Sequence, residues 1–269
     1  MRGLSRTAVS EVEQRFNAVA ASADLGALAD DLFAVADLFD REHGLRRGLS
    51  DPARPADQKE QVLRGLLDGR IAAAAIEVAA TAVRATWSRA GDLPDALERV
   101  GVMAAAAEAE SDGRLDDVED ELFRFGRILA ANPALRRVLS DAAIPGERKR
   151  ELLAALLDGR AAPTTIRLVT QVVVHPRGRS LETSLEEYGW IVARARERLV
   201  GVVRSAVPLG EEQKQRLAAW LRATYGRDVH LNVEVDPRVL GGFSVRVGDD
   251  YIDTTIAGRI EEVRRRLAG

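Results

Sequence analysis

The sequence predicts a mostly α-helical protein ending in a small α+β domain, and three observations predict it. Ala and Leu dominate the apolar residues over most of the 269-residue chain, as helix formers do. Val, a β-branched strand former, is concentrated after residue 168. The apolar period itself changes near residue 200, from helical spacing to alternation.

The helical elements follow in order. Residues 4–20 open the chain as a helix, and residues 93–109 carry Leu93, Leu97, Val100 and Met103 or Ala104 at helical spacing. Helices are then expected over 115–131 and 133–139. Ile144-Pro145 opens another, with Pro near its first turn, that runs to Leu157 before Asp158-Gly159 closes it. A further helix covers 163–174 with Pro163 early. The last of the series spans about 180–199, with Leu181, Leu185, Tyr188, Ile191 or Val192 and Leu199 on its apolar face.

The elements change character after Leu199. Val200 to Val207 reads as a strand, and residues 211–225 as a single helix with Leu217, Trp220 and Leu221 as its buried stripe. Val229, Leu231, Val233 and Val235 alternate with His230, Asn232 and Glu234, the pattern of a strand with one buried face, which Asp236-Pro237 ends. Phe243, Val245 and Val247 make a further strand, and Gly248-Asp249-Asp250 turns the chain. Asp253 is placed to cap a closing helix whose stripe is Ile256, Ile260, Val263 and Leu267 and whose last turn holds Arg264-Arg265-Arg266.

The helical region repeats itself. At an offset of 90, residues 32–83 match 122–173 without a gap at 20 of 52 positions, against roughly five by chance for this composition. Leu45-Arg46-Arg47-x-Leu49-Ser50-Asp51 recurs as Leu135-Arg136-Arg137-x-Leu139-Ser140-Asp141, and Leu66 to Arg70 as Leu156 to Arg160. Pro55 and Lys59 recur as Pro145 and Lys149. A period of 90 is too long for a solenoid unit, so a duplicated helical domain or half-domain is expected. The expected divisions are 1–92, an extra N-terminal copy; 93–199, a six-helix bundle; and 200–269, the small α+β domain.

Composition narrows the function. A net charge of −3, from 39 basic and 42 acidic residues, gives no domain-wide positive field for nucleic acid. The absence of cysteine excludes disulfides, thiolate catalysis and cysteine metal sites. No run of about 18 apolar residues is present to span a bilayer. The segment MRGLSRTAVSEVEQRF has Arg2 and Arg6 in the manner of a transit peptide, but Glu11 and Glu13 follow at once and the apolar core of a secretory signal is lacking; a cytoplasmic setting is expected.

Motifs for chemistry are missing. The acidic run Glu108 to Glu121 lacks the ligand spacing of a calcium loop and reads as acids favoured at a helix start. His43, His175 and His230 include no pair at the spacing of a helical metal site. Gly241-Gly242 belongs to no phosphate-binding pattern, so the pair is expected to supply a bulge or a positive φ. No G-x-S-x-G nucleophile elbow occurs. No catalytic residue, cofactor or metal is therefore assigned. Arg46-Arg47, Arg136-Arg137 and the arginines of 194–204 read as solvated faces paired with neighbouring acids.

The order Asp-Pro, apolar pair, Gly-Gly, strand, turn, Ile-Asp and arginine-containing terminal helix resembles the C-terminal domain of the delta subunit of F-type ATP synthases, called OSCP in mitochondria. Val235, Asp236, Leu240, Gly241, Gly242, Ile252, Asp253, Arg259 and Ile260 carry that resemblance. Thr254, where the family often has serine, and Gly210, where it often has a serine cap, depart from it. About 93–269 look like one complete member, with 1–92 in addition.

The resemblance implies a non-catalytic stator part on the cytoplasmic face of a bacterial membrane, tying the catalytic alpha/beta head to the b subunit of the peripheral stalk. It implies that the N-terminal helix of an alpha subunit enters a groove between the first and fifth bundle helices. In the second copy that groove falls between 93–110 and 163–174, around Leu97, Val100, Ile166, Leu168, Val169 and Val173. The small C-terminal domain is then expected to hold the b subunit. A tandem helical adaptor in signalling or transcription is the rival reading, and a helical enzyme with a β cap and a titratable pocket near His175 the third.

With no phosphate loop, the isolated chain is expected neither to hydrolyse nor to bind ATP stoichiometrically. Titration calorimetry tests this, and a one-to-one micromolar site would overturn it.

Overall fold

The computed structural model describes residues 3–196, 198–225, 228–236, 239, 241–247 and 250–253. They form two compact units, Met1–Ala195 and Arg196–Gly269, each with its own core.

The first unit is helical: α1 (Gly3–Ala20), α2 (Leu25–Arg41), α3 (His43–Ser50), α4 (Ala56–Leu67), α5 (Ala73–Arg84), α6 (Asp92–Ser111), α7 (Leu115–Ala131), α8 (Pro133–Ser140), α9 (Gly146–Leu157), α10 (Pro163–Val174) and α11 (Leu181–Arg196). Local chemistry sets the ends. Asp24 caps α2 by accepting the Ala27 N–H at 3.0 Å. Pro133 and Pro163 stand in the first turns of α8 and α10, where the missing N–H costs nothing.

The bounds of α7 to α10 are those of α2 to α5 moved by 90 residues, and small details recur with them. Gly69 and Gly159 follow α4 and α9 at φ of 73° and 66°, a left-handed reversal open to glycine. Asp31 accepts the Ala72 N–H and Glu121 accepts the Ala162 N–H, both at 2.8 Å. Lys59 and Lys149 are both buried, and burial holds both ammonium groups below the usual lysine range.

α2 and α7 share one buried face. Leu28, Leu32, Val35 and Phe39 of α2 correspond to Val118, Leu122, Phe125 and Leu129 of α7, and all eight are buried. α2 also buries a second face of Gly26, Ala29, Phe33, Ala36 and Asp37, and that face lies mainly on α6, its most extensive partner. α6 accepts it because its side is small: Gly101 leaves room for the Phe33 ring, whose nearest carbon would stand 2.8 Å from any Cβ there. α6 is buried on nearly all sides and also packs on α1, α5, α7 and α10, so packing runs without interruption across residue 92.

The second unit holds β1 (Arg198–Ser205), α12 (Glu211–Tyr225), β2 (Asp228–Val235), β3 (Phe243–Val247) and β4 (Asp250–Asp253). The sheet order is β2-β1-β3-β4; β1 runs parallel to β2, and the other pairs are antiparallel. α12 is the crossover that a parallel pair requires. Val203, Leu217, Leu221, Val229 and Val245 form its core, with Leu231, Val233, Phe243 and Ile252 packed against them.

The sequence reading is corrected at three places here. Trp220 is 48% exposed, because Leu217 and Leu221 already fill the line facing β2, and Val235 at the strand end is 49% exposed. β4 is an added strand of four residues, too short for alternation to reveal, and Asp253 is its last residue. The turn residues Gly248 and Asp249 and the helix expected after Asp253 lie outside the described residues.

Gly101→Val is expected to destabilise the helical unit by about 1–3 kcal/mol through overpacking against Phe33. In a Phe33→Ala background the same change is expected to cost at least about 1 kcal/mol less, a coupling readable by denaturant unfolding of the four chains.

Candidate functional site

The sequence placed a peptide groove between α6 and α10. The structure brings those residues together and closes them over. Leu97, Val100, Leu168, Val169 and Val173 are at most 1% exposed and belong to the main core, and Ile166 is half-buried. α2 packs along α6 beside this cleft. It runs against α10 through Arg167 Nε and Asp30 Oδ1 at 3.1 Å, Gln171 Nε2 and Asp37 Oδ1 at 3.1 Å, and His175 Nε2 and Asp37 Oδ2 at 3.2 Å. Residues 167, 171 and 175 succeed one another at one-turn spacing, so a single line along α10 faces α2. Val169 and Val173 stand two positions from that line, on the other side of α10, and are buried in the main core. The apolar spacing of α10 was legible in the sequence, but its polar contact with α2 was not, because Asp30 and Asp37 lie about 130 positions away.

Asp37 is the polar centre of that contact. Burial pushes its carboxyl up to about 6, offset in part by the Gln171 amide and then by the Arg177 charge. Burial also holds His175 below the ordinary imidazole range, aided by Arg150 and Arg41, and its Nε2 stands 3.2 Å from Asp37 Oδ2.

A second buried network ties α6 to the loop before α11. Glu98 accepts from Arg177, Arg179 and, at 2.7 Å, from the Tyr188 hydroxyl. Arg177 also pairs with Asp95 at 3.2 Å. Burial raises the Asp95 carboxyl and, helped by the Glu98 charge, raises the Tyr188 phenol well above its usual range. Glu98 and Arg177 have side chains 2% and 3% exposed, so removing either strands a buried charge. Apolar spacing gave no sign of it, because Glu98 falls off the line of Leu93, Leu97 and Val100 and is buried only because α6 is covered on nearly all sides.

The remaining candidates resolve into structure. Glu108 pairs with Arg167, and Glu121 caps α10 through the Ala162 N–H and the Thr165 hydroxyl at 2.5 Å. Arg46 holds Asp40 at 3.3 Å and Arg136 holds Glu182 at 3.4 Å, while Arg47 and Arg137 are solvated. His43 is exposed. No group of three or more His, Cys, Asp or Glu positioned for a metal occurs among the described residues. Among them also, no helix is long and apolar enough to cross a membrane.

In the second unit, Asp236 extends the sheet through its N–H to Ser205 O at 2.9 Å. The chain then crosses the end of β1, because β2 and β3 flank it. Gly241 and Gly242 make that reversal at φ of 67° and 76°. Ile252 stands opposite Val245 and packs into the small core. Arg259 lies outside the described residues.

Residues 102–267 match the family model described as ATP synthase delta (OSCP) subunit. The chain is 49% identical over 269 residues to the ATP synthase subunit delta of Thermobifida fusca (strain YX), covering all of both chains. It is 48% identical over 270 residues to that of Streptomyces coelicolor, covering 100% of this chain and 98% of the other. A chain of the Toxoplasma gondii mitochondrial ATP synthase hexamer overlaps 62% of this chain and 95% of its own at 20% identity, with a TM-score of 0.28, too loosely to inform the arrangement.

Because the folded-state value of Asp37 is raised from 3.8 to about 6, its contribution to stability is full below about pH 4 and is lost as pH rises through about 6. Asp37→Asn is therefore expected to gain on the parent chain across that window, by on the order of 2 kcal/mol, and to hold a constant difference above it. Chemical denaturation of both chains at pH 4.5 and 7.5 measures the change.

Proposed function

The chain belongs to the ATP synthase delta (OSCP) subunit family, and from that membership we infer that it is a stator subunit of an F-type proton-translocating ATP synthase. The observation that carries the reading is that the family match of 102–267 runs through both compact units, while the full-length relatives share the additional N-terminal stretch as well. We propose that residues 1–92 are an extra copy of the bundle unit 93–199, a reading supported by the recurrence of helix bounds and caps at an offset of 90. The small unit, 200–269, is the second half of the tie.

The subunit does no chemistry of its own. It links the alpha/beta head to the b subunit, so that the head is held still against rotor torque. The helical unit takes the amphipathic N-terminal helix of an alpha subunit, and the C-terminal unit, with its Asp236, Gly241-Gly242, Ile252, Asp253 and Arg259 motif, takes the b subunit. It is peripheral, at the cytoplasmic face of the bacterial membrane. Its side chains suit a mechanical part: the buried charges at Glu98, Arg177 and Asp37 are spent on other buried groups and fix helix positions rather than face a substrate.

A fragment of residues 1–198 is expected to keep the head and lose the b subunit, leaving ATP hydrolysis on the head uncoupled from proton flow. Pull-downs with purified alpha-beta head and a soluble b fragment decide it. Retention of b by the fragment, or loss of the head, reverses the assignment of the two units.

A further inference from the structure

We propose that the solvent-facing side of α7, along Glu119, Phe123 and Arg127, is a docking surface for an amphipathic helix of another subunit, one that sets a glycine or alanine against Phe123 and a carboxylate against Arg127. The proposal rests on the stator reading and adds to it a place on the chain.

The chain holds its own template for such a contact. Phe33 and Phe123 are equivalent at the offset of 90, on helices of identical length whose core faces also correspond. Phe33 is 5% exposed, because α6 brings Gly101 against its ring. Phe123 is 65% exposed. The second face of α2 is therefore filled by a small-sided helix, and the same face of α7 is open. Single exposed apolar side chains are common on protein surfaces; what sets Phe123 apart is that its equivalent on α2 is buried against a glycine-notched helix.

Among the described residues, no helix covers it in the same way. The helix equivalent to α6 is α11, and at the offset of 90 it sets Ile191 where α6 has Gly101 and Arg194 where α6 has Ala104. Those side chains remove the notch, and Ile191 is itself buried elsewhere in the core. A second copy cannot supply α6, which is buried on nearly all sides. The exposed side of α12 around Trp220 carries Arg216 and Arg222, the wrong sign for Arg127.

Charge specifies the occupant further. Arg127 is exposed and has no ion-pair partner among the described residues; its neighbours at three and four residues are Phe123, Arg124, Ala130 and Ala131, none of them acidic. Arg124 is already paired with Asp120. A free guanidinium one turn from an open aromatic ring calls for a carboxylate one turn from a small residue, the arrangement that gives a helix contact both register and direction.

The test compares oxidative labelling of Phe123 in the free chain and in ATP synthase purified from membranes, together with photo-crosslinking from Phe123→p-benzoylphenylalanine in the same complex. Labelling is expected to fall about tenfold on assembly, the ratio between the exposures of Phe123 and Phe33. The crosslink is expected on a single helical peptide of another subunit, with a glycine or alanine at the contact and an acid one turn away, and Arg127→Glu is expected to reduce its yield while Arg127→Lys retains it. A chain that co-purifies but labels at the free rate, or crosslinks to itself, to a second copy or to scattered peptides, overturns the docking face alone. Failure of the chain to co-purify overturns the stator reading and this proposal with it.

Discussion

The close approach of α2 to α6 is the contact on which the helical unit depends. Phe33 reaches the backbone of α6 only because Gly101 has no side chain, and Ala29, Ala36, Ala104 and Ala105 keep the flanking surfaces low. Through this contact α2 is buried on two faces, one toward its own helices and one toward α6 and α10. Helices on either side of residue 92 consequently share one core. Interiors packed at this density transmit displacement rather than absorb it, as a tether under torque requires.

Buried polar groups add direction to that packing. Apolar contacts hold helices together without fixing their rotation, whereas Asp37, bonded by Gln171 and set 3.2 Å from His175 Nε2, favours one placement of α2 along α10. Glu98 does the same for the loop carrying Arg177 and Arg179, and its bond from Tyr188 fixes α11. In the same N-terminal half of α6, Ser5 donates to Asp92 at 2.7 Å and Arg99 holds Glu13 at 2.7 Å, which orients α1. α6 is thus pinned through its N-terminal half by these bonds, near its C-terminal end by the Glu108–Arg167 pair, and along its middle by small-residue packing.

The two repeated stretches show how the same local sequence acquires different roles. The caps, the glycine reversals and the buried lysines are set within each stretch, so they recur. The exposure of the α2 and α7 outer faces is set by what lies beyond, so it differs. Phe33 and Phe123 are the same residue in the same place on the same kind of helix, and their environments are opposite.

The sequence by itself determined the helices, because period, proline and glycine placement act over a few residues: α10 and α12 fall where spacing put them, and the offset of 90 carried the bounds of one stretch to the next. It determined the Gly241-Gly242 reversal, since positive φ is a property of glycine itself. It also carried the family resemblance, which rests on dispersed residues of the last unit. Tertiary structure alone decided that Leu97, Val100, Val169 and Val173 are buried in the main core, that Trp220 faces outward, and that Asp37 sits between Gln171 and His175. Apolar spacing reports that a helix has a face to bury, but the identity of what buries it depends on contacts between residues far apart in the chain, for which local periodicity has no term.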